Sequence, residues 1–261
     1  MVTLGGVTEG IVVIPGSGSP QPDDYGDGVF ETVHLRPGGP WLLAEHLERL
    51  ERSAARLELP LPPAETLVTL ALEAAGRWTG GEGALRIICR RGFTYYATAG
   101  PIPDATIRQR RDGISVLTAD LGVSIRRPPW SLSGAKTLSY AENLAARRWA
   151  TAQGADDLIW LSTEGHVLEA PTASVVWLRG DTLHTVPPAQ TGILPGTTAA
   201  HLLANSGLRS RESLISRDGL AEADAIWLTS ALRGLAEVRT LDGNPRKPSP
   251  LTADLRDVLG F

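Results

Sequence analysis

The residue of this 261-residue chain best suited to covalent chemistry is Lys136, in the stretch Ser133-Gly134-Ala135-Lys136-Thr137-Leu138-Ser139-Tyr140. The chain uses arginine 23 times and lysine twice, at Lys136 and Lys247. Arginine stays protonated and forms no imine, whereas a lysine of lowered pKa can bond a carbonyl carbon and then act as acid and base. Keeping lysine here therefore suggests an anchor for a carbonyl cofactor. Ser139 and Glu142 have the spacing of a capping box opening a helix over 140–153. Lys136 would then precede a helix N-terminus, whose partial positive charge disfavours an ammonium. A solvated surface lysine fits these residues about as well.

Three further stretches could complete a site. Glu169, in Gly165-His166-Val167-Leu168-Glu169-Ala170-Pro171-Thr172-Ala173-Ser174, lies between two apolar strand-like runs, where a carboxylate needs a cationic partner or becomes neutral. The alternative is a turn-edge glutamate in water. Gly192-Ile193-Leu194-Pro195-Gly196-Thr197-Thr198 is a Pro-Gly turn feeding a helix, an arrangement that suits an anion cup or an ordinary threonine cap. Leu228-Thr229-Ser230-Ala231-Leu232-Arg233-Gly234 reads as a strand ending in small hydroxyl residues.

The elements that must position these residues follow from periodicity. The first 20 residues suggest a strand or hairpin, and Gly16-Ser17-Gly18 is not a phosphate loop, because no helix follows it. Tyr25–Leu35, closed by Arg36-Pro37-Gly38-Gly39-Pro40, reads as a hairpin. Leu43, Leu47, Leu50, Ala54 and Leu57 form one helical stripe, while Arg49, Arg52 and Arg56 share another face with acidic residues, Glu45 and Glu48 standing four positions before the first two, the pattern of a solvated face. A second helix is expected over 64–78 and a buried strand over 84–89. Residues 99–112 lose the apolar pattern and read as a linker. The chain thus divides into a small α/β domain, 1–110, and a larger mixed-sheet domain, 113–261, with strands at 114–118, 158–161, 175–178 and 225–228.

Composition excludes several classes. A net charge of −4 with scattered basic residues leaves no footprint for nucleic acid, and no apolar run reaches the roughly 20 residues of a membrane span. A small-molecule substrate is expected instead. The single cysteine, Cys89, reads as a core thiol and permits a reducing, cytoplasmic setting. The seven tryptophans mostly fall in apolar patterns that suggest core packing. The histidines at 34, 46, 166, 184 and 201 lack metal-ligand spacing, so neither metal nor other chemistry is assigned to them.

In chain order, GDGVFET, EHLERLERSA, KTLSY, GHVLE, ILPGTT and ADAIWLTSALRG resemble the class IV aminotransferase family, the fold-type IV enzymes that use pyridoxal phosphate. The resemblance implies a two-domain α/β (α+β) fold and a homodimer. It makes Lys136 the cofactor-bonding lysine and proton shuttle, and Glu169 the partner of the pyridine nitrogen. Arg49, Thr197, Thr198 and Ser230 become phosphate ligands, and Tyr140 packs near the cofactor's phenolic oxygen. Arg86, Phe30 and Thr32 become substrate contacts. The family's Glu-Gly-Ser-x-Ser-Asn is replaced by Glu169-Ala170-Pro171-Thr172-Ala173-Ser174, and Ala231 stands where many members carry a hydroxyl, leaving Ser230 or Thr229 to serve. The implied reaction is that of aminodeoxychorismate lyase, in folate biosynthesis. The alternatives are a D-amino-acid or branched-chain transaminase and a cofactor binder without turnover.

Overall fold

The computed structural model describes residues 12–15, 26–92 and 94–261, so Gly16-Ser17-Gly18 and Tyr25 lie outside the described residues. The chain forms two compact units, Met1–Pro103 with Ala135–Tyr140, and Asp104–Gly134 with Ala141–Phe261.

The first unit contains β1 (Val12–Pro15), β2 (Gly28–Arg36), β3 (Gly39–Pro40), α1 (Leu43–Arg56), α2 (Ala64–Arg77), β4 (Gly83–Arg90) and β5 (Thr94–Pro101). Its strands make one antiparallel sheet in the order β1-β5-β4-β2-β3. Strand β2 is buried along nearly its whole length. Its alternate residues Val29, Val33 and Leu35 join Leu47, Leu50, Leu67, Leu85 and Ile87 in an apolar core beneath the two helices. Phe30, Thr32 and His34 alternate onto the other face. Cys89 is buried in this core, and burial pushes its thiol up to about 12.

A distant stretch completes the β2 edge. Lys136 O accepts from Phe30 N at 3.0 Å, Leu138 N donates to Gly28 O at 2.9 Å, and Thr137 pairs with Val29 as an isolated antiparallel bridge. This is why 135–140 belongs to the first unit although more than 30 residues separate it from Pro103. The strand start tolerates no side chain there, since a Cβ on Gly28 would stand 2.6 Å from Cys89 O and 2.7 Å from Leu138 Cδ1.

The second unit contains α3 (Asp104–Asp112), β6 (Ile114–Asp120), α4 (Ala141–Ala152), β7 (Asp157–Leu161), β8 (Ser174–Arg179), β9 (Thr182–Thr185), α5 (Pro188–Thr191) and α6 (Thr197–Asn205). It continues with β10 (Arg209–Glu212), α7 (Arg217–Ala221), β11 (Ala225–Ser230), β12 (Gly234–Leu241), β13 (Asn244–Pro245) and α8 (Thr252–Val258). The mixed sheet runs β10-β9-β8-β11-β12-β6-β7, with β13 on β12. Strands β12, β6 and β7 run parallel, and β8, β11 and β12 antiparallel. Strand β7 is buried throughout and β8 over five of its six residues, as expected for strands covered on both faces.

Three expectations change. The supposed linker is the end of β5 followed by α3, a helix with Asp104 in its first turn and Arg110 and Arg111 in its last, a charge placement that favours helix ends despite the missing apolar stripe. Helix α4 opens at Ala141, so Tyr140 rather than Ser139 precedes it. Among the tryptophans, Trp177 and Trp227 are fully buried, whereas Trp130 and Trp149 are exposed. None of the described helices is long and apolar enough to cross a membrane.

Gly28→Ala should destabilise the protein by about 1–3 kcal/mol through forced displacement of its neighbours. Gly76→Ala, in α2 with nothing within 4 Å of the added Cβ, should stabilise it by about 0.5–1 kcal/mol. Denaturant midpoints of the two variants test the contrast.

Candidate active site

Each unit gathers its own set of chemically competent side chains. In the first, Lys136 is half-buried and held by backbone pairing to Phe30, and its own amide N–H donates to the buried Ser53 Oγ at 3.0 Å. Its Nζ lies 4.5 Å from the Phe30 ring centroid and 5.3 Å from that of Tyr140. The two rings meet edge to face, with centroids 5.2 Å apart. The Arg86 guanidinium stands 4.9 Å from the same Phe30 ring. Arg86 belongs to β4, which flanks β2 on one side, and Lys136 to the segment pairing along the other, so the two cations reach Phe30 from opposite edges of its strand. Thr32 pairs with Arg86 in the register and follows Phe30 on the same face. Lys136, Tyr140, Phe30, Arg86 and Thr32 are thus neighbours.

The inner face of α1 is more polar than its apolar stripe indicated. His46, Arg49 and Ser53 are buried beside Leu47, Leu50 and Ala54, whereas Arg52 and Arg56 are exposed. The solvated-face reading of Arg49 is therefore corrected. Arg49 Nε donates to Glu31 Oε1 and its Nη2 to Glu31 Oε2, both at 2.7 Å. His46 Nδ1 donates to Glu31 Oε2 at 2.7 Å, since an ionised carboxylate can only accept. Burial by itself would raise the Glu31 pKa, but the charge and hydrogen bonds of Arg49, with the hydrogen bond from His46, bring it down to about 2. His34 likewise meets Glu82 at 2.8 Å and accepts from Arg36 Nε at 2.9 Å. Two histidines given no role therefore act as polar partners. Among the described residues no cluster suits a metal ion.

In the second unit, Glu169 sits on an extended stretch paired with β7, its carbonyl accepting from Trp160 N at 2.9 Å. Its carboxylate is half-buried and Oε1 accepts from Leu194 N at 3.1 Å, just before the Pro195-Gly196 turn. That turn opens α6, which packs against β8 and β11. Thr197 and Thr198 in its first turn are buried, and Ser174 Oγ lies so close under Gly196 that a Cβ there would clash. Two fully buried hydroxyls, Thr198 Oγ1 and Thr229 Oγ1, have no hydrogen-bond partner among the described residues. Ser230 follows Thr229 at the end of β11 and is half-buried. Asn143 was not singled out from sequence, yet its Nδ2 donates to Pro171 O at 2.7 Å and holds the turn after Glu169. No local spacing could have revealed this contact, because its partners are 28 residues apart.

A family model described as amino-transferase class IV matches residues 28–241. The chain belongs to the class IV aminotransferase family. It is 37% identical to a bifunctional aminodeoxychorismate lyase / D-amino acid transaminase of Mycobacterium tuberculosis, the alignment covering 96% of each chain. The fold superposes with a TM-score of 0.90 on a hypothetical aminotransferase from Mycobacterium tuberculosis in PLP-bound form, at 36% identity over 95% of this chain and 97% of that one. A fold IV-transaminase from Curtobacterium pusillum is similar at a TM-score of 0.85 and 36% identity, over 93% of this chain and 88% of that one. The two mixed α/β units are those of a fold-type IV enzyme.

Glu31 is ionised in the fold with its pKa below the ordinary 4.5, so its contribution to stability is complete above about pH 4.5 and is lost as pH falls towards about 2. The stability gap between the native protein and Glu31→Gln should accordingly be widest at neutral pH and shrink through that window. Denaturant titrations at pH 7, 4.5 and 3 measure it.

Proposed function

We propose that this enzyme is a pyridoxal-phosphate-dependent aminodeoxychorismate lyase, releasing pyruvate and 4-aminobenzoate for folate biosynthesis. The residues fit the cofactor. Thr198 Oγ1 and Thr229 Oγ1 are buried donors lacking acceptors, the arrangement expected where phosphate oxygens bind, and they stand beside a helix N-terminus and Ser230. Thr197 adds to the same cup. The Glu169 carboxylate, steadied by Leu194 N–H, is an acceptor for a protonated pyridine nitrogen. The family resemblance adds Arg49 as a phosphate ligand, and Tyr140 gives an aromatic edge beside Lys136. When bound, pyridoxal phosphate supplies an electron sink for cleavage next to the substrate's amine-bearing carbon.

The chain's own residues then have defined tasks. Lys136 Nζ would hold the cofactor through its carbonyl carbon and, once free of it, would serve as the base that takes the substrate proton. Phe30 and Tyr140 fix the position from which it does so. Arg86 holds a carboxylate. The single observation that carries the lyase reading is the Arg86, Phe30, Lys136 order. The Arg86 guanidinium and Lys136 Nζ lie 4.9 and 4.5 Å from the Phe30 ring centroid and come from opposite edges of its strand, so a carboxylate at Arg86 and an amine-bearing carbon at Lys136 would lie to either side of that strand. That spacing suits a ring amine with its carboxylate on the far side of the ring. In an α-amino acid the two groups share one carbon.

A second reading is favoured by the 37% identical relative, named as both lyase and D-amino acid transaminase. In it, Lys136 takes the proton from the substrate's α-carbon and returns it to the cofactor. A homodimeric, cytoplasmic enzyme is consistent with the family and with a single buried cysteine.

Incubation with aminodeoxychorismate, and separately with D-alanine plus 2-oxoglutarate, tests the assignment. Pyruvate with 4-aminobenzoate is expected from the first. Glutamate from the second alone would make the enzyme a transaminase, and silence from both would leave a cofactor binder. Thr198→Val should keep or raise the melting temperature of the cofactor-free protein, because an unpaired buried hydroxyl costs about 1–3 kcal/mol, while weakening pyridoxal phosphate binding several-fold. Calorimetry and spectroscopic titration check the two halves.

A further inference from the structure

Glu31 is a fully buried carboxylate that the proposed chemistry does not use. It lies on the face of β2 turned to α1, and three side-chain hydrogen bonds of 2.7 Å converge on it, two from Arg49 and one from His46. The Arg49 contacts form a fork on the Nε–Nη2 edge, which fixes the plane of the guanidinium and turns the edge bearing Nη1 away from Glu31. An arginine side chain otherwise samples many rotamers. His46 precedes Arg49 by nearly one turn and donates to Oε2, which also accepts from Thr32 N at 3.3 Å. Ser53, one turn beyond Arg49 on the same buried stripe, accepts from the Lys136 amide. One helix face therefore registers both the guanidinium and the lysine backbone.

We propose that Glu31 is the positioning residue that sets the Arg49 guanidinium for a phosphate-bearing cofactor. Its charge cancels that of Arg49, so what it contributes is orientation and not added attraction for an anion. The inference rests on the reading of Arg49 as a phosphate ligand, and the two can fail separately.

The test compares pyridoxal phosphate with pyridoxal, which lacks the phosphate, by spectroscopic titration of the purified cofactor-free protein. Glu31→Asp keeps the charge but shortens the reach by one methylene. Its preference for pyridoxal phosphate over pyridoxal should fall about tenfold, the scale of one charge-assisted hydrogen bond, with pyridoxal binding unchanged. Glu31→Gln should fall similarly. In an Arg49→Ala background, Glu31→Asp should have no further effect on the preference. If Arg49→Ala alone leaves the preference intact, Arg49 is not a phosphate ligand and the inference falls with it. If Arg49→Ala lowers the preference and Glu31→Asp does not, only the inference falls. Tighter pyridoxal phosphate binding in Glu31→Gln would also overturn it, because charge would then outweigh orientation. Should the Glu31 variants fail to fold, Arg49→Lys decides the matter. A lysine keeps the charge without the fork, and should lose the preference; a native preference in that variant would contradict the role given to Glu31.

Discussion

Everything proposed for Lys136 depends on two backbone hydrogen bonds, Phe30 N to Lys136 O and Leu138 N to Gly28 O. They graft a segment from beyond residue 134 onto the edge of a sheet completed by residue 101, and so place the lysine beside a ring on β2 and an arginine on β4. A ladder pair is sensitive to the backbone's approach, which explains Gly28 at the strand start, where any Cβ would meet Cys89 O and Leu138. Ser53 ties the same segment to α1 from the other side. The lysine's segment is thereby fixed at three points.

The second unit solves a different problem. It positions its candidate residues through turns: Leu194 N–H orients Glu169, Asn143 pins the turn that follows it, and the Pro195-Gly196 turn starts α6. Burying two hydroxyls without acceptors costs stability in the cofactor-free chain. Under the proposed function that cost would be recovered when a phosphate binds. The replacement of the family's Asn by Ser174 fits this picture, since Ser174 Oγ fills the space beneath Gly196 at the same helix start.

Much of this was legible in the sequence where structure is local. The stripe Leu47-Leu50-Ala54 announced α1, the apolar runs at 158–161, 175–178 and 225–228 announced β7, β8 and β11, and the order of the motifs carried the family. What escaped was long-range or disguised. Arg49 sits at a spacing that suggests a surface ion pair, yet it turns inward because its partner is Glu31, 18 residues upstream on a strand. Glu31 occupies the alternation slot of a core residue, and no pattern reveals that an acidic side chain there will be paired. His46 has no metal-ligand spacing, and no local pattern reveals a histidine paired with a carboxylate 15 residues upstream on a strand. Helix α3 has no apolar stripe to betray it, and its one buried residue is Gln109. The attachment of 135–140 to β2 is invisible locally, since strand pairing across a hundred residues leaves no local period.

The most direct test of the central claim is to reduce the protein with borohydride after incubation with pyridoxal phosphate and to map the labelled peptide. A single label on Lys136 is predicted. A label on Lys247, the chain's other lysine, or no label at all, would contradict the account.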